Sequence, residues 1–481
     1  MTAGRGRTIW LAAAFAAVST VVAPVPAGAA PEAGDEWDPR IEAIAEEVAD
    51  LRGLEFEEPV EALFLGDKAF RKRVTSEEDD LTKSDKFDLR FSEAELRALG
   101  LVGGDIDLFA TVNEEVGSGV VAYYNPDNGR IVIRGKRLDP FTKVSVAHEL
   151  THALQDQHFD LAALDEQAAD SSGATEAVTA LVEGDATRIE LEYLDTLDDD
   201  EQDRYWEQAE TFGTDPDEPV LDEPVDASSA LAGATFDAPY ALGPSMVSIL
   251  EVDGGNRRVD RAFRHPPTTQ RQILDPLTVL DRAPEATVRP PRRPEGTKAA
   301  WPDDLPHDLG ALDVFFLLAS RLPALDALAA ADDVKAGAAN AYRDDGALCF
   351  DVAFRTFDES GAARLSGALK MWAAAMPPGA VTQRANGLGF RVCDPGDAAA
   401  APPNSVLDAL TFVSGRSDIE WALYDSGLDA EETECVAGGV VTTPEFAKIV
   451  SAQNAGEEPA DADYEAIWDV VDDATEACID D

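Results

Sequence analysis

Residues 139–156 have the sequence DPFTKVSVAHELTHALQD and predict a single helix that carries two histidines. Asp139 is a typical N-cap residue and Pro140 suits the first helical position, so we expect the helix to begin here. His148 and His152 are four residues apart, and positions i and i+4 share one face of a helix. Their imidazoles can therefore bind one metal ion.

Glu149 lies between these histidines, about 100° round the helix from His148, within reach of a water bound to the same metal. Zinc lowers the pKa of a bound water towards ~7, and a neighbouring carboxylate can take its proton as the water attacks a carbonyl. The chain has only five histidines, so this spacing is rarely a coincidence, although a core or surface pair is the alternative. His158 lies on a different helix face and is expected to be a partner or surface residue.

A catalytic zinc site needs a third protein ligand and an open fourth position. A second helix predicted over about 173–194 offers Glu183 and Glu176, which are seven residues apart and share a face. Glu183 has small or apolar neighbours, so its carboxylate needs a partner such as a metal. We therefore favour Glu183, with Glu176 as the alternative.

Asp156 and Asp185 are candidates to hold a ligand histidine through its second ring nitrogen. Each is equally well explained as an ordinary solvated acid. The two readings are left open by the sequence.

The segment from His148 to Asp156 resembles the HELTH active-site helix of the thermolysin-like zinc metallopeptidases, the gluzincins, whose third ligand is a glutamate on the next helix. Three further segments resemble little-characterised exported bacterial proteins with this type of zinc site: Glu183-Gly184-Asp185-Ala186, Pro239-Tyr240 with Gly243, and residues 263–270. The resemblance covers roughly residues 117–276. One departure is that Glu183 follows His152 by 31 residues, a longer gap than in thermolysin, and lacks the Asn-Glu context.

This resemblance implies a group that stabilises the oxyanion, for which Tyr240 and His265 are the candidates. Tyr240 could instead be a core aromatic, and His265 could cap a turn. The strand Arg130–Arg134 is expected to lie at the edge of a sheet and to accept a peptide substrate by strand addition. Its predicted hairpin partner is the strand at 120–124, across a turn at 125–129.

The overall expectation is an α+β protein. It has a zincin-like catalytic domain, built from a small sheet with an edge strand, an active-site helix and a helical lower part, and a disulfide-containing α+β C-terminal region. The predicted divisions are a signal peptide at 1–29, an N-terminal α+β region at 37–110, the zincin-like domain at 111–288, a Pro/Arg-rich linker at 289–306 and the C-terminal region at 307–481. Residues 198–225 are expected to form an acidic surface insertion.

The ends of the chain predict export. Two arginines, an apolar run over 9–22 and the small-residue site 27–29 are typical of a secretory signal peptide, with an uncleaved membrane anchor as the alternative. Four cysteines in the last third favour two disulfides, for which we expect the sequential pairs Cys349–Cys393 and Cys435–Cys478. The protein is therefore expected to be secreted, or held at the cell envelope.

The chain carries 94 acidic and 39 basic residues, a formal net charge of −55. Such a charge repels nucleic acid and anionic membrane surfaces. Because the acids recur in every region, a halophilic source explains them better than a specific partner does. We therefore expect a secreted zinc endopeptidase that acts on peptides or proteins, with an inactive zinc-containing binding or scaffold protein as the alternative; the oligomeric state is not predicted.

Overall fold

The computed structural model describes residues 36–104, 106–211, 227–281, 286–300 and 308–479. The predicted signal peptide at 1–29 lies outside these residues. None of the described helices is both long and apolar enough to cross a membrane. The predicted α+β class is confirmed, with helices in the majority.

A small sheet of three strands lies beside the helix that carries the histidines. Its strands are β1 (Glu61–Leu65), β2 (Ala122–Asn125) and β3 (Arg130–Arg134). The predicted hairpin is confirmed, since β2 and β3 are antiparallel, and Gly129 in the turn has the positive φ of 64° that favours glycine. However, β1 pairs in parallel with the other side of β3. The expectation that Arg130–Arg134 is an edge strand is therefore wrong: β3 is central, and β2 is an edge of this sheet.

Eleven helices occupy the described part of the chain before residue 282: α1 (Glu42–Arg52), α2 (Asp67–Val74), α3 (Lys83–Leu99), α4 (Leu108–Gly119), α5 (Pro140–Phe159), α6 (Leu161–Ala168), α7 (Ser172–Thr196), α8 (Asp199–Thr211), α9 (Ala227–Gly254), α10 (Asn256–Arg264) and α11 (Arg271–Leu274). The predicted start of α5 is confirmed, because the Asp139 side chain accepts a hydrogen bond from the backbone N–H of Thr142. The helix predicted over 173–194 is confirmed as α7.

The N-terminal region shares its core with the histidine helix. Ile41, Ile44 and Val48 around α1 pack in one apolar cluster with Leu150 of α5 and Ile189 of α7. Together with the pairing of β1 and β3, this joins the predicted regions 37–110 and 111–288 into a single packing unit.

The predicted acidic insertion at 198–225 begins as a packed helix. Tyr205 of α8 is fully buried, with its ring 5.6 Å from that of Phe141 on α5. Lys143 Nζ lies 2.7 Å from Glu201 Oε1 at the same contact. The described residues of α8 therefore support the histidine helix, while residues 212–225 lie outside the described part of the chain.

The C-terminal region contains a second sheet, whose six strands are β4 (Lys298–Ala299), β5 (Asp308–Leu309), β6 (Val334–Asp344), β7 (Ala347–Thr356), β8 (Val381–Gln383) and β9 (Gly389–Cys393). The strand β4 falls within the predicted linker 289–306 and pairs with β6. Both predicted disulfides, Cys349–Cys393 and Cys435–Cys478, are present. The first joins directly opposite residues of the antiparallel neighbours β7 and β9.

Seven further helices accompany this sheet: α12 (Ala311–Ala319), α13 (Ala324–Ala331), α14 (Glu359–Ala375), α15 (Val406–Asp425), α16 (Ala430–Val440), α17 (Pro444–Asn454) and α18 (Asp461–Ile479). α15 packs along α9, and Ser414 donates a hydrogen bond to the Ala241 carbonyl at 3.1 Å. One large apolar core therefore runs from α7 and α9 into the C-terminal region.

α7 and α9 cross at two glycines with direct contact between their backbones. A Cβ atom added to Gly184 would lie 2.3 Å from the carbonyl carbon of Gly243, and one added to Gly243 would lie 2.3 Å from the carbonyl oxygen of Ala180. Such distances are far below van der Waals contact. This crossing brings Tyr240, one turn before Gly243 on α9, beside Glu183 of α7.

We expect Gly243→Ala to lower the free energy of unfolding by about 1–3 kcal/mol, because the added methyl group has to push two helix backbones apart. Gly233→Ala on the same helix is the control, since its nearest neighbour is the Leu407 Cδ1 atom at 4.0 Å. That variant should be neutral or stabilising by about 0.5–1 kcal/mol. Urea unfolding of both variants measures the difference, and equal midpoints would contradict the close contact.

Candidate metal centre

Three buried side chains from two helices converge at one point. His148 and His152 project from α5, and Glu183 projects from α7. The two Nε2 atoms lie 3.0 Å apart, and Glu183 Oε2 lies 3.3 Å from the first and 3.2 Å from the second. All three residues are at most 4% exposed. This group could hold a metal ion.

The second nitrogen of each imidazole has its own partner. His148 Nδ1 lies 3.0 Å from a carboxylate oxygen of Glu190, which can only accept a hydrogen bond when ionised. His152 Nδ1 lies 2.9 Å from Gln155 Oε1. The orientation of this amide follows from its hydrogen bonds, because Gln155 Nε2 donates to the carbonyl of Val182 at 3.0 Å. Both Nδ1 atoms therefore carry the proton and donate it.

Once both Nδ1 atoms donate, each neutral imidazole presents the lone pair of Nε2 to the convergence point. The Glu183 carboxylate also offers only lone pairs. In that neutral form three acceptors face one another at 3.0–3.3 Å, so either a proton on an Nε2 atom or a metal ion has to lie between them. Leaving such groups buried and unsatisfied is costly, so the arrangement favours a cation at the centre.

The electrostatics of the three groups agree with this conclusion. Burial alone would lower the pKa of His148, but hydrogen bonds to Glu183 and Glu190 outweigh it and raise that pKa well above its usual value. Burial also acts to lower the pKa of His152, but the negative charge of Glu183 outweighs this effect and raises that pKa. For Glu183, burial is outweighed by the two histidines, which lower the pKa of its carboxyl to about 2. The centre thus attracts positive charge.

Glu149, the expected general base, lies at the edge of the small sheet. Its Oε2 atom accepts a hydrogen bond from the backbone N–H of Tyr124 on β2 at 2.6 Å. The residue is 3% exposed, and burial raises the pKa of its carboxyl above the usual value. Glu149 is therefore positioned between the two histidines and the edge strand.

The register of β2 explains why this N–H is available. Arg134 N–H donates to the Val121 carbonyl, and Gly129 N–H donates to the Asn125 carbonyl, so residues 121, 123 and 125 face β3. In an antiparallel pair the intervening residues point their backbone groups away from the partner strand. The backbone of Ala122 and Tyr124 therefore faces the open edge, next to Glu149.

Tyr240 is brought to the site by the crossing of α7 and α9. Its ring centroid lies 6.2 Å from that of His148. Its hydroxyl is buried and has no hydrogen-bond partner of good geometry among the described residues. Burial, together with the nearby negative charge of Glu183, raises the pKa of this phenol well above its usual value. Tyr240 thus remains a neutral donor beside the convergence point.

His265 is not part of this arrangement. It is exposed at the end of α10, where its backbone N–H donates to the carbonyls of Arg261 and Ala262. The described contacts place no site residue against its imidazole. The alternative of a residue that ends a helix fits the structure better than a role at the site.

The two predicted partners of the histidines are both displaced. Asp156 accepts a hydrogen bond from the Tyr124 hydroxyl at 2.7 Å and does not hold an imidazole. Asp185 accepts a hydrogen bond from the Gln155 amide, with its Oδ2 atom 3.1 Å from Nε2. Gln155 therefore stands between Asp185 and the imidazole of His152. The expectation of direct contact is wrong for both, because Glu190 and Gln155 occupy those positions.

Glu176 points elsewhere, which decides between the alternatives for the third position. Its carboxylate accepts a hydrogen bond from Gln270 Nε2 at 2.6 Å, and the same nitrogen donates to Asp313 at 2.8 Å. Burial raises the pKa of Glu176, and the charge of Asp313 adds to this effect. Glu183 is the carboxylate that meets the histidines.

Sequence reasoning missed Glu190, Gln155 and the Tyr124 N–H. A signal for Glu190 was present, since it follows Glu183 by seven residues, two helical turns, and so lies on the same face of α7. No comparable signal exists for a backbone N–H on a strand. No protein-family model, curated protein or solved structure matches the chain.

We expect Glu183→Gln to weaken metal binding by at least about 100-fold, because partners behind the ligands alone are typically worth 10–100-fold. Glu176→Gln is the matched control, since it makes the same change on the same helix face but away from the histidines. It should bind metal like the wild type. Competition with a chromophoric chelator measures both affinities, and equal losses would show that the site is misassigned.

Proposed function

We propose that this protein is a secreted zinc-dependent peptidase that hydrolyses peptide bonds in peptide or protein substrates, with Glu149 as general base. One observation carries the proposal. The buried carboxylate of Glu149 lies next to the convergent His148, His152 and Glu183 side chains and is hydrogen-bonded to the edge strand β2. The acceptors fit a metal ion, and the edge fits an extended peptide.

Zinc is the metal that the donor set fits best, since imidazole nitrogen and carboxylate oxygen are its usual ligands besides cysteine. Ligand atoms around a four-coordinate zinc, with bonds of about 2.0–2.1 Å, lie about 3.3 Å apart. The separations of 3.0–3.3 Å between His148, His152 and Glu183 agree with this value. These three residues would hold the zinc ion, which would supply a Lewis acid to polarise a carbonyl and lower the pKa of water.

Glu149 accepts the proton of the attacking water and then delivers it to the leaving amine nitrogen. Its raised pKa suits this role, because a carboxylate with a low pKa would not hold the proton between the two steps. The neutral Tyr240 hydroxyl donates a hydrogen bond to the oxygen that becomes negatively charged. The outward backbone groups of Ala122 and the Tyr124 carbonyl bind the substrate as an added strand, while the Tyr124 N–H stays bonded to Glu149.

Export is supported by the two disulfides, which are typical of oxidising compartments. The predicted signal peptide at 1–29 and the net charge of −55 belong to the same proposal, in which a halophilic source places the enzyme in a salty exterior. Within this proposal, nucleic acid and membrane surfaces are not partners.

A zinc-containing binding or scaffold protein without turnover is the second candidate. It is favoured by the hydrogen bond at 2.6 Å from Tyr124 N–H to Glu149, which holds the carboxylate against the strand. It is also favoured by the position of His265, because only Tyr240 remains to stabilise an oxyanion.

We expect Glu149→Gln to lose about 10²–10⁴-fold in the rate of casein hydrolysis, the usual contribution of a general base, and to keep the full zinc content. Glu176 is a partly buried glutamate outside the site, so the Glu176→Gln variant should keep both the hydrolysis rate and the zinc content. Zinc content is measured by atomic absorption, and the rate of hydrolysis is measured across a salt series. Full zinc occupancy with no hydrolysis by the wild type at any salt concentration would favour the second candidate.

A further inference from the structure

A fully buried arginine from the N-terminal region lies behind the metal centre. Arg52, the last residue of α1, is 0% exposed. Its Nε atom donates to Asp185 Oδ2 at 2.8 Å, and its Nη2 atom forms an ion pair with Asp260 Oδ1 at 3.0 Å. A charge buried to this degree has to be compensated, and these two carboxylates do so.

The contact continues without interruption to a ligand histidine. Asp185 Oδ2, the oxygen that binds Arg52, also accepts a hydrogen bond from Gln155 Nε2 at 3.1 Å. Gln155 Oε1 in turn lies 2.9 Å from His152 Nδ1. Arg52, Asp185, Gln155 and His152 therefore form one chain of hydrogen bonds from α1 to the metal centre.

We propose that Arg52 is a positioning residue for the metal centre, through which the N-terminal helix sets the affinity for the ion. Arg52 holds the Asp185 carboxylate against the Gln155 amide, and this amide fixes the Nδ1–H tautomer of His152. The proposal rests on the metal centre and not on the peptidase activity.

Asp185 has a second arginine, which provides an internal comparison. Arg188 Nη2 donates to Asp185 Oδ1 at 3.1 Å, the oxygen that does not contact Gln155. Without Arg52, Arg188 is the only charged partner that the carboxylate retains, and the carboxylate turns towards it. Gln155 is then held by the Val182 carbonyl alone, and its hold on His152 is weakened.

A consequence concerns the role of the first region. α1 belongs to the core of the histidine helix and supplies Arg52, and Asn256 Nδ2 further ties it to α10 by donating to the Leu51 carbonyl at 3.2 Å. A segment so placed supports the site and does not block it.

The test compares Arg52→Met with Arg188→Met in the full chain, by Zn²⁺ affinity in chelator competition and by the visible absorption of the Co²⁺-loaded protein. We expect Arg52→Met to lose about 10–100-fold in Zn²⁺ affinity and to alter the Co²⁺ spectrum. Arg188→Met, which removes the same charge from the same carboxylate, should change the affinity by less than about threefold. Arg52→Lys, which keeps the charge and one donor, should recover part of the loss.

Equal losses in the two methionine variants would overturn the proposal, since they would reflect the general loss of a positive charge. Wild-type affinity in a folded Arg52→Met protein would overturn it as well. Should Arg52→Met not fold, Arg52→Lys takes its place against Arg188→Lys, and wild-type affinity in Arg52→Lys would then overturn the proposal. If the wild type binds Zn²⁺ but hydrolyses nothing, the peptidase proposal fails and this one stands.

Discussion

Three hydrogen-bond acceptors meet at one buried point, and the surrounding structure depends on satisfying them. Each buried acceptor without a partner costs roughly 1–3 kcal/mol, so a centre of three is unfavourable unless a proton or a metal ion lies within it. The two imidazoles could avoid pointing lone pairs at this centre by rotating or by changing tautomer. Glu190 and Gln155 prevent this by accepting hydrogen bonds from the Nδ1–H groups of His148 and His152. The fold therefore keeps three side chains directed at one point, an arrangement that could hold a metal ion.

α7 contributes most of the charge at this centre. Glu183, Asp185 and Glu190 are all buried on this one helix, so each needs a partner from another element. His148 of α5 donates to Glu190 and Arg52 of α1 pairs with Asp185, while Glu183 meets the Nε2 atoms of both histidines. These contacts fix three helices relative to one another. The crossing of α7 with α9 at the two glycines adds a fourth helix without adding a charge.

The sequence predicts the parts of this arrangement that depend on neighbouring residues. The cap at Asp139, the hairpin and the spacing of the histidines are local signals, and each is found in the structure. Pairings between distant segments carry no such signal. The strand β1 pairs with β3 at a sequence separation of 69 residues, which turns the predicted edge strand into a central one. Tyr205 is buried inside an acidic segment for the same reason, because the surface that covers it comes from α5.

The glutamates of α7 show why spacing alone cannot identify a metal ligand. Glu176, Glu183 and Glu190 recur every seven residues along one helix face, so periodicity gives them equal standing. The groups that face these glutamates differ. Gln270 donates a hydrogen bond to Glu176, two imidazoles meet Glu183, and His148 Nδ1 lies against Glu190. A carboxylate opposite an amide is satisfied as a hydrogen-bond acceptor, and one opposite a single Nδ1–H orients an imidazole. Only Glu183 meets the Nε2 atoms of two imidazoles, and this distinguishes it as the carboxylate of a group that could hold a metal ion.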